Sequence, residues 1–101
     1  MPKYLVQGSY TQQGFDGLLK ESGSAAMVER LAGEMGGTLE TFYFAFGSDD
    51  FVIILDLPDN IDMAATAVVA QASGMVKSRV TVLMAPEDVD EAVKRRVDFR
   101  E

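Results

Sequence analysis

The stretch from Leu39 to Leu57, LETFYFAFGSDDFVIILDL, constrains the fold of this chain most strongly. Two runs rich in aromatic and β-branched residues flank a Gly-Ser-Asp-Asp tetrad, which is typical of a β-hairpin. Alternation puts Phe42, Phe44 and Phe46 on one face of the first run, and Leu39, Tyr43 and Ala45 on the other. In the second run Phe51, Ile53, Leu55 and Leu57 oppose Val52 and Ile54. Since strands that are apolar on both faces are covered on both sides, we expect this hairpin to be buried from two directions.

The composition excludes several classes of site. At 101 residues the chain is expected to form one domain, residues 1–101. It has no Cys and no His, so disulfides, thiolate metal sites and a histidine general base are excluded, and we expect neither a metal nor a cofactor. A net charge of −7 argues against nucleic-acid partners. There is no apolar run near the ~20 residues of a membrane span and no signal-peptide pattern, so we expect a cytoplasmic protein without a membrane partner.

Periodicity and turn residues divide the rest of the chain into elements. The pattern predicts a strand at Lys3 to Thr11, a polar loop at Gln12 to Ser24 with a short turn around Leu18-Leu19, a helix from Ser24 to Gly36, a helix from Asp59 or Asn60 to Ser73, a strand at Val76 to Met84, and a helix that starts at Pro86. Gly8, inside the first strand, indicates a bulge or a close approach by backbone or ligand. The predicted buried stripe of the second helix is Ile61, Ala65, Val68 and Ala72, and the last helix is expected to pack through Val89, Ala92 and Val93.

The element order is β-α-β-β-α-β-α, which favours an α+β fold: a ferredoxin-like βαββαβ sandwich with a C-terminal helix. In that arrangement the helices cover one face of a four-stranded antiparallel sheet and leave the other face open. Because the hairpin is apolar on both sides, we expect a second copy of the chain to cover the open face or to join the sheet at an edge. The sequence therefore predicts a homo-oligomer, paired as in a dimeric α/β barrel.

Three segments, KYLVQGSYTQQG, FYFAFGSDDFVIILDLPDN and TVLMAPEDVDEA, together resemble the GYD-domain family of small bacterial proteins. The resemblance implies a ferredoxin-like fold and no particular biochemical activity. The family's motif, a Gly followed shortly by Tyr-Asp between two strands, maps onto Gly47 and Asp50, and Asp49 stands at the position of the Tyr. The chain is also similar to dimeric α/β-barrel proteins, in which paired sheets enclose small cavities.

Few residues are candidates for chemistry, and each has a structural alternative. Asp49 and Asp50 suit a hard-cation site or a shared proton, or they are turn residues that bond nearby backbone N–H groups. Tyr10 and Tyr43 suit ligand orientation at a cavity mouth, or ordinary packing on strands. Lys77 and Arg79 suit a carboxylate or phosphate, or they offset nearby acidic charge and protect a sheet edge. No residue can be named as catalytic.

These observations favour a non-catalytic homo-oligomeric domain that binds a small molecule or a partner on its sheet face or in an intersubunit cavity. The alternative is a cofactor-independent enzyme of the dimeric α/β-barrel type that acts on a small, partly apolar substrate, with Tyr10, Tyr43 and Arg79 as its polar groups. A regulatory ligand-sensing module is a third hypothesis. An RNA-recognition module shares the strand and helix order, but the chain is acidic and FVIILDL offers one Phe and no basic residue.

Overall fold

The computed structural model describes residues 1–21 and 24–95. The elements are β1 (Lys3–Tyr10), α1 (Gln12–Lys20), α2 (Ser24–Glu34), β2 (Thr38–Phe44), β3 (Phe51–Asp56), α3 (Asn60–Ala72), β4 (Val76–Leu83) and α4 (Pro86–Lys94). The strands form one sheet in the order β2-β3-β1-β4, and every neighbouring pair is antiparallel. This is the ferredoxin-like α+β arrangement that the sequence predicts.

The segment predicted as a loop is a helix, α1, over Gln12–Lys20. Thr11 caps it, since its Oγ1 accepts a hydrogen bond from the Gly14 N–H at 3.1 Å. Gly14 is buried, and a Cβ there would lie 2.1 Å from the carbonyl oxygen of Met75. The glycine that indicated a loop therefore lets α1 approach the start of β4. Residues 22 and 23 of the predicted loop lie outside the described residues.

The core lies between the helices and one face of the sheet. Its buried hydrophobic residues are Tyr4, Val6, Ala32, Phe51, Ile53, Leu55, Leu57 and Met63. Tyr4 is 1% exposed, and its hydroxyl donates a hydrogen bond of 2.6 Å to Oδ1 of Asn60, so the polar end of this core residue is satisfied at the start of α3. Gly8 confirms the predicted close approach: a Cβ there would lie 2.2 Å from the carbonyl oxygen of Lys77.

A register shift in β2 corrects one predicted face. Leu39 pairs with Leu55, and Thr41 pairs with Ile54, so one extra residue, Glu40, is inserted between them. The bulge puts Leu39 and Phe42 on the same, core-facing side, and both pack against the buried cluster. The prediction that Leu39 lies opposite Phe42 was wrong, because simple alternation does not survive an inserted residue.

The predicted buried stripe of α3 is also wrong. Ile61 is 78% exposed and Val68 is 67% exposed, and Ala65 and Ala72 are exposed as well. The helix instead buries Met63 and Thr66. Asp59 caps the helix, since its Oδ1 accepts from the Asp62 N–H at 2.9 Å. Since α3 is apolar nearly all round, its periodicity could not decide which side faces the sheet.

The last helix, α4, does not make the contact predicted for it. None of its residues is buried: Val89 is 49% exposed, Val93 is 54% exposed, and Ala92 is exposed. The described chain is elongated, with extents of 59 × 28 × 22 Å. One face of the sheet is thus covered by α1, α2 and α3, and α4 covers neither face.

Candidate functional site

The open face of the sheet carries the candidate site. On β1 this face presents Leu5, Gln7 and Ser9, which pair across the strands with Thr81, Arg79 and Lys77 of β4. A shallow cavity of about 230 Å³ lies at the polar end of the face. Its lining residues are Gln7, Gly8, Ser9, Asp49, Lys77, Ser78 and Arg79. Next to it lie the half-buried apolar side chains of Leu5, Val52 and Ile54.

A bidentate ion pair forms one wall of the cavity. The two terminal nitrogens of Arg79 donate to the two carboxylate oxygens of Asp49 at 2.9 and 2.8 Å. The Asp49 side chain is 14% exposed and the Arg79 side chain 63% exposed. Hydrogen bonding to Asp49 raises the pKa of Arg79 above its ordinary value. Arg79 therefore offsets acidic charge, which is one of the two roles that the sequence predicted for it. The ion pair with Asp49 fixes the direction of the Arg79 guanidinium.

Asp50 holds the turn against β1. Its Oδ2 accepts a hydrogen bond from the Tyr10 N–H at 3.0 Å, and its own N–H donates to the Gly8 carbonyl at 2.7 Å. This is backbone bonding by a turn Asp, although the partner N–H lies on β1 and not in the turn itself. Among the described residues no group of three or more acidic side chains could hold a metal ion.

Lys77 is the second cation of the cavity. It lies opposite Ser9 in the β1–β4 register, two residues before Arg79, and its side chain is exposed. Within the part of the chain that the structure describes, Lys77 makes no ion pair. An ammonium group at a cavity wall without a carboxylate partner can accept an anion from solution.

The two candidate tyrosines lie on opposite faces of the sheet. Tyr10 points to the covered face, where its ring centroid lies 5.4 Å from that of Phe15 and 5.2 Å from that of Phe51. Burial raises the pKa of Tyr10. Tyr43 lies opposite Val52 on the open face and is 68% exposed. Three strand spacings, about 14 Å, separate the edge strand of Tyr43 from that of Arg79. Tyr10, Tyr43 and Arg79 therefore do not share one cavity.

A second charged cluster lies at the far end of the open face. The Lys3 Nζ lies 2.9 Å from Oδ1 of Asp56 and 3.1 Å from Oε1 of Glu40. Its hydrogen bonds to Asp56 and Glu40 raise the pKa of Lys3. Both carboxylates are already paired with this cation, so the cluster offers less to an anion than Lys77 does. Sequence reasoning missed this cluster, because the position of Glu40 depends on the bulge in β2.

The sequence matches the GYD domain family over residues 4–93, nearly the whole chain. The chain belongs to the GYD domain family. Of the positions that resemble the family motif, Asp49 lines the cavity and forms the ion pair with Arg79, whereas Asp50 lies outside the lining and anchors the turn to β1. Gly47 has a negative φ, and a Cβ there would meet no atom within 4 Å, so the backbone sets no requirement for glycine at this position.

The fold of this GYD domain is similar to that of MtbAldR, with a TM-score of 0.60 and 16% sequence identity. The similarity covers 83% of this chain and 52% of the other, so the chain spans about half the length of MtbAldR. At this identity the likeness concerns the fold alone. No curated protein matches the sequence. Within residues 1–21 and 24–95, no helix has the length and apolar character that a membrane crossing requires.

Proposed function

We propose that this GYD domain is a non-catalytic, homo-oligomeric module that binds a small carboxylate on its open sheet face. The observation that carries the proposal is the arrangement of Lys77 and Arg79, two cations on the same face of β4 at the wall of one cavity. In a chain with a net charge of −7, two cations on one wall are a local exception to the acidic surface.

The chemistry of the wall suits a monoanion better than a polyanion. Asp49 already accepts hydrogen bonds from two guanidinium nitrogens of Arg79, so the net charge of that pair is close to zero. Lys77 then supplies one full positive charge, and the Gln7 amide and the Ser9 hydroxyl supply neutral donors. One carboxylate group balances this set.

The rest of the ligand is expected to be apolar. Gln7 of the cavity pairs with Val52 across β1 and β3, and Leu5 pairs with Ile54. The side chains of Leu5, Val52 and Ile54 are half-buried and form the part of the open face that leads away from the cations. A molecule whose carboxylate contacts Lys77 would lay its body on them, and their contact with it would remove apolar surface from water.

The separation of the tyrosines supports binding without catalysis. The enzyme hypothesis needed Tyr10, Tyr43 and Arg79 around one substrate. Tyr10 lies on the covered face, and Tyr43 and Arg79 lie on the two opposite edge strands of the open face. The cavity contains the Lys77 ammonium group, the Asp49–Arg79 ion pair and neutral hydrogen-bond donors. This set is suited to orienting an anion.

Oligomerisation is part of the proposal. The apolar residues of the open face are only half-buried, Tyr43 is largely exposed, and α4 does not cover this face. A second copy that packs on the sheet face would cover this surface, and one that joins the sheet at an edge would pair an exposed edge strand.

The ligand proposal is tested by isothermal titration calorimetry with benzoate, against benzamide as an uncharged match. We expect binding of benzoate only, and a loss of at least tenfold in affinity for Lys77→Gln, since a hydrogen bond to a charged group contributes about 1.5–3 kcal/mol. Lys20→Gln, which removes a cation from the end of α1, is the control and is expected to bind like wild type. Equal affinities for benzoate and benzamide, or equal affinities of the two variants, would overturn the proposal.

A further inference from the structure

Within residues 1–21 and 24–95, two apolar surfaces have no packing partner. The first, the α3 stripe, consists of Ile61, Ala65, Val68, Val69 and Ala72, and its large side chains are 50% to 78% exposed. The second, the α4 stripe, consists of Val89, Ala92 and Val93. A helix that is apolar all round is normally buried, and a nine-residue helix is marginal in water without packing. Each surface therefore requires a partner that the described chain does not supply to it.

We propose that a second copy of the chain covers both the α3 stripe and the α4 stripe. Two copies pair antiparallel along the outer edge of β4, and the α4 stripe of each copy packs on the α3 stripe of the other. This inference rests on the proposed oligomer and specifies its interface, but it is independent of the proposed ligand.

The edge of β4 is suited to pairing. β4 ends the sheet, has eight residues and contains no proline, and within the described residues nothing pairs with its outer side. An exposed edge of this kind is a template for another strand. Side-chain charges select the register. A two-fold axis at Ser78 would set Lys77 against Arg79, and an axis at Arg79 would set that residue against itself, and both juxtapositions are unfavourable.

A two-fold axis at Val80 avoids these clashes. It sets Arg79 opposite the partner's Thr81 and Lys77 opposite the partner's Leu83. Val80 then meets the partner's Val80 on the covered side of the sheet. This side chain is 38% exposed although it shares a face with the core residues Tyr4 and Val6, so the contact would complete its burial.

Antiparallel pairing also brings the helices together. The end of β4, where α4 begins, lies beside the start of the partner's β4, which directly follows the partner's α3. An α4 of about 14 Å can then run antiparallel along an α3 of about 20 Å. Ala65 and Ala72 lack bulk, so the helices can approach closely. Lys94 and Arg95 at the end of α4 would lie toward Asp62 at the start of the partner's α3, which contains no Lys or Arg.

The size of the contact is appropriate. In a two-fold dimer the contact between α4 and the partner's α3 occurs twice. The interface also contains the paired β4 edges and the side chains of Val82 and Met84, which are 53% and 59% exposed. These surfaces amount to the order of the ~800 Å² that each partner contributes to a standard interface.

A crosslink tests the register. The chain has no cysteine, so Val80→Cys introduces a single thiol, and across the two-fold axis the two Cα atoms would be about 4.5–5.5 Å apart, within disulfide range. We expect Val80→Cys to form a covalent dimer under mild oxidation at least tenfold faster than Leu19→Cys. Leu19 lies on α1 and is 86% exposed, so its variant measures random collision. Equal rates would overturn the proposed edge contact.

Light scattering after size-exclusion chromatography tests the helix exchange. We expect wild type at twice the 11.0 kDa chain mass, and a dimer dissociation constant at least tenfold higher for Val93→Asp and for Val68→Asp. Leu19→Asp is the matched control and should stay dimeric. A monomeric wild type would contradict the proposed oligomer as well as this interface. Benzoate binding is measured independently and would still test the ligand proposal. Dimers that survive both helix variants but dissociate with Val52→Asp would place the partner on the open face and overturn this interface alone.

Discussion

Gly8 offers the sharpest test of the packing around the cavity. It lies in the middle of β1, between β3 and β4. A Cβ at this position would lie 2.2 Å from the Lys77 carbonyl oxygen, 2.8 Å from the Ser78 Cα and 2.9 Å from the Phe51 ring. Two of these three neighbours are backbone atoms of a paired strand, so they cannot rotate away as a flexible side chain would.

The expected effect of Gly8→Ala is a loss of roughly 1–3 kcal/mol or more in the free energy of unfolding, the range for extra methyl groups forced into a packed interior. The gain that Ala normally brings over Gly in a regular element, about 0.5–1 kcal/mol, partly offsets this loss. Since β4 must move to accommodate the methyl group, the Lys77 side of the cavity is expected to move with it. Benzoate affinity should therefore fall together with stability.

The measurement is urea unfolding followed by circular dichroism, with Gly33→Ala as the matched control. Gly33 lies in α2, has a negative φ, and a Cβ there meets nothing within 4 Å. The control is expected to gain about 0.5–1 kcal/mol because Ala favours the helix. Curves for the two variants that coincide, or a Gly8→Ala protein within 0.5 kcal/mol of wild type, would refute the argument that backbone crowding fixes this glycine.

Two further predictions concern charge. Burial raises the pKa of Tyr10, so the folded chain keeps this phenol protonated at a pH where the unfolded chain loses the proton. Its contribution to stability is complete below about pH 10 and is lost as the pH rises through the raised pKa. Burial also raises the pKa of Tyr4, so absorbance at 295 nm should show two late-titrating phenols, of which Tyr10→Phe removes one. A late amplitude that is unchanged in that variant would contradict the assignment. The Asp49–Arg79 pair is mostly exposed on the Arg79 side, so a double-mutant cycle with Asp49→Asn and Arg79→Gln should give a coupling below about 1 kcal/mol. A value above 2 kcal/mol would show that the pair is a main stabiliser of the turn.

Local patterns predicted the sheet and most helices, and they failed where a residue had more than one role. The alternation in β1 puts Tyr4 and Val6 on one face of the strand, and the structure buries both. Gly14 indicated a loop because glycine disfavours helices, yet here it serves the close contact of α1 with Met75. The sequence of α3 is apolar on nearly every side, so its pattern could not show which side faces the sheet.

The candidate site was predictable in part. Lys77 and Arg79 stood out as alternating cations on a strand of an acidic chain, and the structure places both at the cavity. Asp49 could be identified only as a turn residue, because its contact with Arg79 joins positions 30 residues apart. The common site predicted for Tyr10 and Tyr43 does not form, because the parity of each position along its strand puts Tyr10 on the covered face and Tyr43 on the open face.

The Asp49–Arg79 bridge links the β2–β3 turn to the outermost strand, passing over the end of β1. Lys77, the residue that we propose to bind the carboxylate, lies on the same strand two residues before Arg79. The outer edge of that strand is also the contact that we propose for a second copy. One strand, tied to the turn by the bridge, would therefore carry both the proposed ligand contact and the proposed dimer contact.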